Sequence, residues 1–179
     1  MSAFGFIACV PVDAIAAQLD AACPLWDANT ERRDAKNSPH VAMSDIWVRY
    51  ADGPVDHQQP HVSVMHPAWN VLPALHGLVF DLMRNQQATQ LGGILITRIP
   101  PGGVIQPHDD RGSWHAEFYN RKVYVVLRSN ARCINECEGD EVNMRTGEVW
   151  TFDNLRSHSV TNGGATERIT LIICMRVEA

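Results

Sequence analysis

A chain of 179 residues can bury a sizeable core without a disulfide or a structural ion, so any metal site it carries is free to be functional. Charged residues at 20% and hydrophobic ones at 45% describe an ordinary globular protein, and a net charge of −5 argues against the basic face that a general nucleic-acid binder needs. The cysteines (Cys9, Cys23, Cys133, Cys137, Cys174) are odd in number and scattered, which argues against a secreted disulfide framework and for a reducing compartment.

Cys133 and Cys137 lack a second pair at zinc-finger spacing and read as buried or half-buried thiols. With no basic region before the first apolar residues and no run of membrane-spanning length, the expectation is a cytoplasmic protein without a membrane partner.

Residues 4–10 form an apolar first strand, and Pro11 and Asp13 open a helix to about Ala22 with Val12, Ile15, Ala16 and Leu19 on one face. Residues 27–39 are polar and read as a loop, with Arg32 and Arg33 as solvated surface. Residues 41–50 alternate as a strand, Ile46, Val48 and Tyr50 on one face and Trp47 and Arg49 on the other. The simpler reading is an edge strand with an exposed Arg49; if the second face lines a cavity, Trp47 and Arg49 can touch a substrate. Residues 51–61 read as a loop, and His57, His61 and His66 as ordinary polar residues. Pro67 starts a helix to about Asn85, striped by Leu72, Leu75, Leu78, Val79 and Leu82, with Pro73 tolerated through a kink or a delayed start.

From Leu91 the pattern changes to short β-rich segments at 94–99, 104–105, 122–127, 131–135, 141–144, 149–152, 157–161 and 169–175. Turn signals such as Ser129-Asn130, Gly139-Asp140, Thr146-Gly147 and Asn162-Gly163-Gly164 separate them. The expected fold is mainly β: a double-stranded β-helix, or cupin-like jelly roll, with flanking N-terminal helices. One domain should span 1–179, residues 1–90 supporting a core at 91–179.

The segment 94–110 is the one around which this core is organised. After the β-branched run 94–99, Pro100-Pro101-Gly102-Gly103 turns the chain, and Val104-Ile105 leads to His108 and Asp110. In extended backbone, residues two apart share a face, so this imidazole and carboxylate can address one metal ion. The best third ligand is His158, after the apolar run 149–152, and Arg168 follows ten positions on. Two imidazoles and one carboxylate on one face of an octahedral ion suit non-haem Fe(II) and leave positions for a bidentate 2-oxo acid and O2. This His-x-Asp, remote His and distal Arg resemble the pattern of Fe(II)- and 2-oxoglutarate-dependent oxygenases.

More specifically, residues 94–177 resemble the aspartyl/asparaginyl β-hydroxylase family. The likeness is carried by Arg98-Ile99-Pro100-Pro101-Gly102-Gly103, Pro107-His108, the segment Gly147-Glu148-Val149-Trp150-Thr151-Phe152-Asp153-Asn154, His158 and Arg168, and more weakly by Ile46-Trp47-Val48-Arg49. The resemblance implies that His108 and His158 bind Fe(II), that Arg168 pairs with the distal carboxylate of 2-oxoglutarate, and that Lys122 and Tyr124 touch this cosubstrate. Asp110 supplies a carboxylate that the animal members lack, which brings the chain closer to ordinary superfamily members such as bacterial hydroxylases of free amino acids. The expected substrate is an amino acid or an amino-acid residue of a peptide or protein.

Asp153 is a candidate to orient a metal ligand or to cap a turn. Residues 109–122, long for a connection and rich in Arg, His and aromatic groups, read as a lid or binding loop suited to a substrate carboxylate, or else as a surface loop. Two rivals share these features: a metal-dependent barrel enzyme that does not use 2-oxoglutarate, and a non-enzymatic binding or sensor module.

Overall fold

A computed structural model describes residues 2–54 and 56–178; Val55, in the segment read as a loop, and the side chain of Cys23 lie outside the description. In chain order the elements are β1 (Phe4–Cys9), α1 (Asp13–Ala21), α2 (Glu31–Asp34), β2 (Ser44–Ala51), β3 (Ser63–Met65), α3 (Ala68–Val71), α4 (Ala74–Asn85), β4 (Ala88–Ile99) and β5 (Val104–His108). They continue with α5 (Trp114–Phe118), β6 (Arg121–Arg128), β7 (Cys133–Cys137), β8 (Asp140–Val142), β9 (Glu148–Phe152), β10 (His158–Asn162) and β11 (Arg168–Val177). The strands form a seven-stranded sheet, β1-β9-β6-β11-β4-β2-β3, and a four-stranded sheet, β5-β10-β7-β8, with every pairing antiparallel. This is the expected jelly roll with helices on its flank.

Alternation along the central strands gives the large sheet two different faces. Ile94 and Ile96, Val123 and Val125, and Ile169, Leu171 and Ile173 point outward into a core closed by Ile15 and Leu19 of α1 and Leu75, Val79 and Leu82 of α4. Each such side chain contributes about 1.5–3 kcal/mol on burial, which fastens the helices to the sheet. The opposite positions, Leu95 and Thr97, Lys122 and Tyr124, and Ile172 and Cys174, face the small sheet and line the cavity between the two.

Several elements differ from the pattern in the sequence. The helix expected over 67–85 is two helices, because Leu72 ends α3 at φ −116° and Pro73, which lacks an N–H and disfavours helical backbone before it, starts α4. Strand β2 is not an edge: it lies between β4 and β3, and a register shift between Trp47 and Arg49 moves Tyr50 onto the face of Trp47. The segments read as loops contain α2 and α5, the latter capped by Ser113, whose Oγ accepts from the Ala116 N–H. Strand β7 starts at Cys133 rather than Ala131 because Asn130 first makes a turn, its Oδ1 accepting from Arg132 N–H and its carbonyl from Cys133 N–H. Among the described residues no helix is long and apolar enough to cross a membrane.

Candidate active site

Antiparallel pairing of β5 with β10 sets His108 directly opposite His158, with ring centroids 4.3 Å apart. Both imidazoles are held alike: Nδ1 of His108 lies 2.8 Å from the Gln106 carbonyl, and Nδ1 of His158 lies 2.9 Å from that of Arg156. A carbonyl can only accept, so the proton sits on Nδ1 in each ring and the lone pair on Nε2. Asp110, just past β5, is fixed by its N–H on the Asn154 carbonyl at 3.0 Å. Its Oδ2 accepts from Lys122 Nζ at 2.5 Å and Asn154 Nδ2 at 2.7 Å, while Oδ1 lies 3.9 Å from His108 Nε2. One ligand atom from each of His108, Asp110 and His158 falls within 4.8 Å of the others.

The electrostatics prepare these groups for a cation. Burial pushes His158 down to about 4, so it is neutral at physiological pH. Burial alone would raise Asp110, but the Lys122 ammonium outweighs it and holds the carboxyl well below the usual carboxylate range. Lys122 is lowered by burial and raised more by Asp110, so it stays charged. Two imidazole nitrogens and one carboxylate oxygen, each oriented by a second hydrogen bond, fit a first-row divalent ion with positions left for exogenous ligands.

The three groups open on a cavity of about 130 Å³ between the sheets, walled by Leu95, Ile105, Phe152, Val160 and Ile172. Tyr124 lines it with its ring 4.9 Å from that of Phe152, and burial raises its hydroxyl, which therefore keeps its proton. Lys122 also lines it, tied to Asp110. Arg168 does not reach the cavity wall. It is 2% exposed and donates from Nη1 to Asn135 Oδ1 at 2.8 Å and from Nη2 toward Met144 Sδ at 3.8 Å, while its Nε has no partner among the described residues. Burial lowers the guanidinium's pKa, and no carboxylate among the described residues pairs with it. Asn135 stands between Arg168 and the cavity.

Other groups at the cavity carried little signal in the sequence. Arg32 is not solvated surface: its side chain is 17% exposed, lines the cavity, and donates from Nη1 to Asp45 Oδ2 at 2.8 Å, while Thr97 donates to Asp45 Oδ1 at 2.7 Å. Only Arg33 behaves as expected, pairing with Asp27 and Asp34 near the surface. His40 sets its ring edge-on to His108 at 4.8 Å, and burial pushes it down to about 2. Tyr50, rather than Trp47 or Arg49, reaches the cavity, and Arg49 donates to the Gly92 carbonyl at 2.6 Å.

The segment 109–122 supplies Ser113, His115 and Ala116 to the wall, and His61 stacks on His115 at 5.6 Å. Arg111 closes the segment on the Leu155 carbonyl instead of facing the cavity. Asp153 accepts from Leu155 N–H in a local turn, and its neighbour Asn154 is the residue that steadies Asp110. Cys133 and Cys137 are buried, and Cys174 lines the cavity beside Lys122.

Comparison with known proteins agrees with this architecture. An oxidoreductase of the 2OG-Fe(II) oxygenase family from Burkholderia pseudomallei superposes with a TM-score of 0.62 at 15% identity, covering 97% of this chain and 84% of that one. A Trichoplax adhaerens prolyl hydroxylase, solved with a hypoxia inducible factor peptide fragment, gives 0.62 at 11% identity over 97% and 83%. A Pseudomonas putida prolyl-4-hydroxylase gives 0.51 at 17% identity over 99% and 94%. At such identities these likenesses establish the fold. The family model for aspartyl/asparaginyl β-hydroxylases, however, matches residues 25–177, from the strap that carries Arg32 to the end of β11. The chain therefore belongs to the aspartyl/asparaginyl β-hydroxylase family and is a dioxygenase.

Proposed function

We propose that this dioxygenase uses Fe(II) and 2-oxoglutarate to hydroxylate an unactivated C–H bond of an amino acid, free or within a peptide. The observation that carries the reading is the convergence of His108, Asp110 and His158 within 4.8 Å, with both imidazoles presenting Nε2. Bound Fe(II) would supply the coupling of 2-oxoglutarate decarboxylation to oxygen insertion from O2. The residues hold and orient. His108 and His158 keep their protons on Nδ1, and Asp110 offers Oδ1 while Lys122 and Asn154 hold Oδ2. Arg168 is the group for the distal carboxylate, reached once Asn135 yields or relays the contact. The Trichoplax enzyme was solved with a peptide, which supports a residue within a peptide as one form of substrate.

A second reading, the same metal centre without 2-oxoglutarate, is favoured by the seclusion of Arg168 behind Asn135. One experiment separates the two. Anaerobic addition of Fe(II) and then 2-oxoglutarate should produce the visible charge-transfer band of the chelate, and admitting O2 should yield succinate, slowly even without substrate. Iron-loaded protein that gives neither band nor succinate would favour the second reading.

A further inference from the structure

The ion pair between Lys122 and Asp110 places a buried ammonium one carboxylate away from the point where His108, His158 and Asp110 Oδ1 converge. The Nζ–Oδ2 distance is 2.5 Å, and the side chains are only 16% and 20% exposed. We propose that Lys122 gates metal loading, so that a divalent ion binds weakly alone and tightly only together with a 2-oxo dicarboxylate. The inference rests on the metal and cosubstrate reading above.

Lys122 is poorly placed to retreat. It lies on β6, between β9 and β11 in the large sheet; it pairs in register with Cys174, and its carbonyl accepts from Thr151 Oγ1 at 3.0 Å. The other carboxylate at the cavity wall, Glu136, is engaged by Gly139 N–H and Ser159 Oγ.

The charges are matched before any ion enters. At the cavity wall Lys122 is balanced by Asp110 and Arg32 by Asp45, and behind Asn135 the Arg168 guanidinium has no carboxylate paired with it among the described residues. A divalent ion adds two positive charges next to an ammonium that shares its sole anionic ligand, and between side chains this far buried that repulsion is weakly screened. Asp110 is also a weaker donor while Lys122 and Asn154 draw on Oδ2. A dianion in the same cavity faces the ion and the ammonium together, and turns the repulsion into attraction. Metal and dicarboxylate then strengthen each other's binding, as linkage requires. The lysine thereby opposes occupation by an ion that arrives without the cosubstrate.

The test is Mn(II) binding to metal-free protein, read from the EPR signal of the free ion, with and without 2-oxoglutarate. In the wild type the dicarboxylate should tighten Mn(II) about tenfold or more. Lys122→Met should bind Mn(II) alone about tenfold tighter than the wild type and gain less from 2-oxoglutarate. Lys122→Gln, which keeps a donor for Asp110 Oδ2, should show the same two changes and carries the test where Lys122→Met does not fold, and Lys122→Arg should stay near the wild type.

Mn(II) affinity in either folded neutral variant no greater than in the wild type overturns the gate. So does a wild type that binds the ion equally well with and without the dicarboxylate. An equal gain from 2-oxoglutarate in wild type and variants would remove the gate yet leave the cosubstrate reading standing. Failure of every form to bind Mn(II) under either condition would overturn the metal reading and the gate together.

Discussion

A guanidinium enclosed by an amide, a thioether and a thiol, with no carboxylate beside it, lowers the stability of the protein that holds it. Arg168 is in that position, which makes its cost to stability separable from its proposed contact with the cosubstrate. Arg168→Met should raise the melting temperature of the ligand-free protein by about 2–4 °C. The same change should weaken 2-oxoglutarate binding roughly 30-fold or more, because a desolvated, charge-assisted contact is lost. Arg168→Lys should recover only part of the affinity, since an ammonium cannot reproduce a two-point contact. Calorimetry and a 2-oxoglutarate titration test the pair of effects: a lower melting temperature for Arg168→Met would mean that the guanidinium is there to brace Asn135 and Met144. Arg168 stood out in the sequence because it opens an otherwise apolar strand. Arg32 did not, because it sits in a polar stretch where solvation is the ordinary outcome. Its partner Asp45 is identified only by the pairing of β2 with β4, which sets Asp45 opposite Thr97.

Helix α5 owes its seat to two missing side chains. Gly92 and Gly93 leave room on β4 for the Tyr119 ring and for His115, whose Nε2 accepts from Gly93 N–H at 3.0 Å. A Cβ on Gly92 would come within 2.6 Å of the Tyr119 ring, and one on Gly93 within 3.0 Å of Tyr50 and 3.1 Å of His115. Gly92→Ala should therefore destabilise the protein by about 1–3 kcal/mol through overpacking and lift α5 from the sheet. Urea unfolding and limited proteolysis across 109–122 check this, and unchanged stability with an unchanged cleavage pattern would show that Tyr119 swings aside freely. None of this was readable locally. A short helix in a polar connection has little periodicity to display, and the three-residue β3 has less, whereas α1 and the long strands β4, β6 and β11 declare themselves by apolar patterns that repeat over their own length. The break at Pro73 was half visible: the proline was plain, but the apolar stripe that runs across it concealed that the helix restarts.

For the molecule as a whole, the half of the chain that carries the strong β pattern brings His108, Asp110 and His158 into one place, while the N-terminal half closes over them with His40, Arg32 and Tyr50. Enclosing imidazoles in this way sets the response to acid. Burial pushes His115 down to about 3 from an ordinary 6.5, and His40 and His158 shift in the same direction. Between pH 6.5 and about 3 the unfolded chain therefore binds a proton at His115 that the folded protein refuses. The sign follows: the stabilisation is complete above 6.5 and is lost as pH falls toward the depressed value, at about 1.4 kcal/mol per pH unit for each such group. Urea unfolding of the metal-free protein at pH 7 and pH 5 should show a marked loss of stability, of which His115 accounts for about 2 kcal/mol. His115→Gln isolates that share, because the amide oxygen can still accept from Gly93 N–H but does not titrate. The variant should lose correspondingly less between the two pH values. Equal losses in wild type and variant would mean that His115 protonates in place, and that α5 yields to solvent before the sheets do.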